Sequence, residues 1–102
     1  MTKKSTATLK FILPFETKYI QKATIVVQDY KNPTMFTIKK QLGECEVQQY
    51  WLRTTLSSED MNNFEDYAKL KIQLFVTFTD GSKQSSECFY KTVKEIIDNE
   101  VE

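Results

Sequence analysis

An all-β fold, a single antiparallel β-sandwich of immunoglobulin-like architecture, is what this 102-residue sequence predicts, and three observations carry the prediction. The stretch KLKIQLFVTFTDGSK, residues 69 to 83, sets apolar residues at every second position and then stops at Asp-Gly, which is a strand followed by a hairpin turn. Short alternating runs separated by turn signals recur at a spacing of about 8 to 12 residues, enough for about seven strands. Helical periodicity is almost absent, apart from one acidic helical turn near 58 to 64. A small barrel is the second architecture that fits this pattern.

Each element follows from its own residues. Leu9, Phe11, Leu13 and Phe15 alternate with Thr8, Lys10 and Ile12, so one face of residues 6 to 13 turns inward before Pro14 ends ladder donation. This first strand is short, lies near an edge, and follows a flexible arm at residues 1 to 5. Ala23, Ile25 and Val27 alternate with Thr24, Val26 and Gln28, a β-branched run that predicts a second strand over about 20 to 30. KNP at 31 to 33 supplies the next turn, and Phe36 and Ile38 mark a third strand closed by Leu42-Gly43. From Glu44 the apolar parity runs Cys45, Val47 and then Tyr50, Leu52, Thr54, Leu56. The change at Gln48-Gln49 predicts a bulge or a break between two short strands.

LSSEDMNNF, residues 56 to 64, leaves the sheet pattern. Ser57 or Ser58 accepts from the free amides of a helical turn, Glu59 and Asp60 stand where the helix dipole favours carboxylates, and Leu56, Met61 and Phe64 fold back to the core. Leu70, Ile72, Leu74, Val76 and Phe78 then form the longest inward row. Asp80-Gly81 predicts a two-residue type I′ turn, with residues 82 to 93 returning antiparallel. In the tail KTVKEIIDNEVE, Val93, Ile96 and Ile97 satisfy both periods; strand is expected, then a loose acidic end at 98 to 102. The sandwich domain therefore spans 6 to 97.

Composition bounds the chemistry. Fourteen Lys plus Arg offset fourteen Asp plus Glu, so the whole chain supplies no net field to gather phosphate, and nucleic acid is not an expected partner. Two Gly and two Pro in the whole chain argue for an ordered domain, and the apolar runs fall well short of the ~20 residues a membrane helix needs. The start, MTKKSTATLKF, has no apolar run or small-residue cleavage site of a secretory signal, so synthesis in the cytoplasm is expected. Cys45 and Cys88 have no CxxC spacing and the chain has no His, so a zinc site is not expected; two reduced thiols are favoured over a disulfide. The acidic residues Glu59, Asp60, Glu65 and Asp66 fit a solvated helix cap better than a calcium loop. Without His, a nucleophile elbow or a phosphate-cradling loop, no enzyme, cofactor or small-molecule substrate is expected.

What remains is binding. Phe75 interrupts the polar row Lys71, Gln73, Thr77, Thr79, and Trp51 does the same beside Arg53 and Thr55. Phe75, Trp51 and Arg53 are the candidate protein-binding residues, forming one patch if adjacent antiparallel strands bring them together. The competing account turns Trp51 inward as the packed centre of the sandwich, with Phe75 alone outside.

The chain also resembles a set of small β-rich structural and accessory proteins of tailed bacteriophages that infect gut and other Gram-positive bacteria. Leu56, Ser57, Glu59, Asp60 and Phe64 match that set's helical turn, and Ile72, Gln73, Val76, Asp80 and Gly81 its hairpin. Asn99-Glu100-Val101-Glu102 stands where the set has a Gly-containing end. The resemblance implies a virion-associated structural or assembly module, located in the particle, whose partners are other viral structural proteins or its own copies. A soluble phage effector that binds a host protein is the alternative, and a small nucleic-acid binder the third.

Overall fold

The computed structural model describes residues 6–31, 37–65, 67–86 and 88–96. The arm at 1 to 5, most of the turn with Phe36, Asp66 and the acidic end therefore lie outside the described residues. Two antiparallel sheets face each other. The smaller has the order β1 (Ala7–Ile12), β5 (Trp51–Leu56), β4 (Glu46–Gln48). The larger has β3 (Thr37–Gln41), β2 (Ile20–Asp29) and β6 (Lys69–Phe78), and β6 pairs along its far edge with both β7 (Lys83–Ser85) and β8 (Phe89–Thr92). Lettered as an immunoglobulin-like sandwich, β1, β5 and β4 occupy the places of B, E and D, and β3, β2, β6 and β7/β8 those of C′, C, F and G. Cys45 and Cys88 are free thiols, and neither lies on β1 or β6, where an antibody domain has its bridge.

Period-2 side-chain placement decides the core. Ala7 and Leu9 of β1, Leu52 and Leu56 of β5, Ala23, Ile25 and Val27 of β2, and Leu70, Ile72, Leu74 and Val76 of β6 are all buried between the sheets. The first, second and sixth strands follow the boundaries that alternation predicts. The parity change at Gln48-Gln49 is a break: Gln48 pairs with Trp51, leaving Gln49 and Tyr50 as a two-residue hairpin turn. That turn is tied to the chain after β1, because the Leu13 amide donates to the Tyr50 carbonyl (2.8 Å) and the Thr17 hydroxyl to the Gln48 carbonyl (2.7 Å).

Three expectations are corrected. The Asp80-Gly81 hairpin has a three-residue loop, not a two-residue type I′ turn. The Phe78 amide donates to the Ser82 carbonyl (2.8 Å), and Gly81 alone takes a positive φ of 91°, whereas a type I′ turn needs positive φ at both central residues. The return strand is not continuous. Phe75 pairs with Ser85 but Ile72 pairs with Phe89, so one extra residue has entered between β7 and β8 as a bulge. Finally, the tail begins as helix, α2 (Val93–Ile96), rather than strand. Buried Val93 donates its amide to the Ala68 carbonyl (3.0 Å), which docks the turn against the start of β6.

The predicted helical turn is present as α1 (Ser58–Met61). Ser57 accepts from the Asp60 amide (3.0 Å) and Asp60 accepts from the Ser57 amide (3.2 Å), a reciprocal cap. The Lys40 ammonium, 3.4 Å from the Asp60 carboxylate, joins the cap to β3. Met61 and Phe64 are buried and close one end of the core. No helix among the described residues is long and apolar enough to cross a membrane.

Candidate functional site

The structure separates the predicted binding residues. Trp51 and Arg53 lie on the outer face of the smaller sheet, because Leu52, Thr54 and Leu56 take the inner positions of β5. Phe75 lies on the outer face of the larger sheet, between Thr24 of β2 and Ser85 of β7. Trp51 and Phe75 therefore point away from each other across the sandwich, and the single patch is corrected to two surfaces. The account that turned Trp51 into the packed centre also fails, since Trp51 is half-exposed.

Around Trp51 the ring is held by charge. The Lys10 ammonium lies 4.4 Å from the ring centroid and the Arg53 guanidinium 5.4 Å, so two cations meet the negative face of one indole. Arg53 also pairs with Glu46 across the β4–β5 hairpin. Each partner already has company within the sheet. The cluster fastens the outer surface of the smaller sheet.

A second surface lies where the sandwich stays open. β1 has one strand partner, β5, among the described residues, and β7/β8 has one, β6, so the two sheets end side by side. Between those ends lie two hollows, of about 290 and 430 Å³, that meet at Phe11 and Phe89. The two rings are 6.3 Å apart and tilted at 59°. Phe89 is 44% exposed and Ile12, at the lip, 78%. Leu9, Ile72 and Ile96 line the larger hollow, and its charged residues are Lys10 and Lys91.

Sequence reading missed this opening for a physical reason. Opposite Ile72 the inner face requires an inward residue on the return strand, and the bulge before β8 makes that residue Phe89 instead of its neighbour. No local signal in residues 82 to 93 announces the extra residue. Ile12 was legible as an outward apolar residue in the first strand, but nothing marked its edge as open.

Among the described residues no group of three or more His, Cys, Asp or Glu is arranged to hold a metal ion. Burial pushes the Cys45 thiol above its ordinary pKa, so its nucleophilic thiolate is scarce at neutral pH. Comparison with known proteins finds no matching family model, no matching curated protein and no matching solved structure.

Proposed function

We propose that this chain is a non-enzymatic module of a phage particle that works by protein–protein contact, as a head-surface, fibre-anchoring, connector or tail-associated component. The single observation that supports contact as the mode of action is the open side of the sandwich, where Phe11, Phe89 and Ile12 surround two apolar hollows. Exposed aromatic and aliphatic side chains beside a pocket are the usual anchors of protein interfaces. The occupant in this reading is an apolar side chain of a neighbouring particle protein, and the phage context comes from the resemblance in the helical turn and hairpin.

Density-gradient sedimentation of particles tests it. The protein is expected to stay with particles at stoichiometric copy number. The variant Ile12→Ser, at a position 78% exposed, is expected to fold, because substitutions at exposed positions usually change stability by only about 0.5 kcal/mol, yet to leave the particle fraction. A wild-type protein that remains at the top of the gradient overturns the virion reading and favours the soluble effector.

A further inference from the structure

We infer that the outer face of the larger sheet binds single-stranded nucleic acid. By register, the side chains directed outward form rows across the strands: Lys22, Thr77 and Lys83; then Thr24, Phe75 and Ser85; then Lys39, Val26 and Gln73; then Gln28, Lys71 and Tyr90. Lys69 follows at the start of β6, with its ammonium 5.1 Å over Tyr30 and 5.5 Å over Tyr90. Successive rows are about 7 Å apart, twice the rise per residue of a strand. Five lysines thus share one face, and among the described residues its outward strand positions carry no Asp or Glu. None of the five takes part in an ion pair among the described residues.

Whole-chain neutrality hides this face because the charges are sorted. Glu16, Glu44, Glu46, Glu59, Asp60, Glu65, Asp80 and Glu95 stand in loops, in helical turns or on β4 of the other sheet, and Asp29, the last residue of β2, pairs with buried Leu70 and so has inward parity. The sheets are about 10 Å apart and side chains add to that on both sides, whereas salt screens exposed charges beyond roughly 8 to 10 Å. A polyanion lying across the middle of the larger sheet meets its lysines, while Asp29, Glu44 and Asp80 stand at the ends of its strands and Glu46 on the opposite sheet.

Aromatic side chains narrow the class of polyanion. Phe75, Tyr90 and Tyr30 are 43%, 45% and 51% exposed among the lysines. Tyr30 and Tyr90 meet edge to face, 5.4 Å between centroids, so the face offers two aromatic platforms, that pair and Phe75, on which unstacked bases rest while the phosphates meet ammonium groups to either side. A face made of several paired strands is too broad to enter a duplex groove, which favours single strands. The face carries lysine and no arginine, and a lysine offers a point charge rather than a bidentate fork, so little sequence preference is expected. This surface is separate from the open side proposed for protein contact, and either can fail without the other.

Fluorescence anisotropy with an oligodeoxythymidylate of about 15 nucleotides tests the assignment. Contacts to three or four phosphates predict a slope of log affinity against log salt of about −2 to −3. The double variant Lys22→Ala, Lys83→Ala is expected to reduce that slope by about 1.4. Phe75→Ser is expected to weaken binding roughly 5- to 150-fold, the loss of one stacked base. Tyr90→Ser gives the same readout should Phe75→Ser not fold, and Lys18→Ala, in the loop before β2, should leave binding unchanged. Absence of binding at about 50 mM salt overturns the inference. So does equal competition by polyglutamate with no effect of either aromatic variant, which would assign the face to an acidic protein.

Discussion

Gly81 is the one described residue with a positive φ, and a Cβ built there would meet nothing within 4 Å. Any penalty for a side chain is therefore one of backbone conformation alone. Gly81→Val should destabilise the protein by somewhat more than about 1 kcal/mol in chemical denaturation, since a β-branched residue resists the left-handed region more than Ala does. Beside it, the Asp80 carboxylate accepts from the Ser82 hydroxyl (2.6 Å) and amide (2.9 Å), and these bonds hold its carboxyl below the ordinary range. A carboxyl depressed on folding stabilises the native state above its unfolded value of about 3.9, and that contribution disappears as pH falls through the folded value. Wild type and Asp80→Ala should accordingly differ in melting temperature at neutral pH and draw together on acidification. In the core, Thr54 keeps a buried hydroxyl without a hydrogen-bond partner among the described residues. Thr54→Val should be neutral or stabilising by up to about 1 kcal/mol, because an unpaired buried polar atom is removed. Alkylation without reductant should add two groups per chain, one each at Cys45 and Cys88, and modification of Cys45 should accelerate as pH rises.

Among the elements, α1 shows how much a short motif can hold. Four helical residues are too few to be stable alone. The Ser57–Asp60 cap satisfies amides at its start, and buried Met61 and Phe64 fasten its end to the core. Ser57→Ala should cost about 1 kcal/mol and Met61→Ala about 2 to 5, both measurable as shifts in denaturation midpoint. Ser, Glu and Asp before an apolar residue made this turn legible, as strict alternation made β6 legible over its full length. What escaped was set by contacts distant in sequence. The bulge between β7 and β8 answers to pairing along β6, and α2 forms because Val93 finds the Ala68 carbonyl and a buried site, whereas its local apolar pattern suits strand equally well. Turn length at the hairpin likewise depends on where pairing resumes: Thr77 opposite Lys83 leaves room for a third loop residue that the Asp-Gly pair does not reveal.

For the whole molecule, parity was readable within each strand but neighbours were not. Trp51 and Phe75 each stand on the outward side of their own strand, as alternation implies, yet β5 and β6 belong to different sheets, so two correct local readings gave one incorrect patch. The same holds for charge. Lys22, Lys39, Lys71 and Lys83 sit on four strands, and only the order β3-β2-β6-β7 gathers them. That order also has a temporal side. β6 lies inside the larger sheet, and its pairing joins Ile20 to Phe78 and Asp29 to Leu70, partners far apart along the chain. Loop closure of that length must precede the contacts that reward it, so refolding should take milliseconds to seconds rather than microseconds in stopped-flow fluorescence. On the ribosome, β1 to β5 emerge before the strand that joins β2 to the return strands exists. A fragment ending at residue 68 should therefore lack a cooperative thermal transition, and the nascent chain must wait for β6 before its apolar rows can leave water.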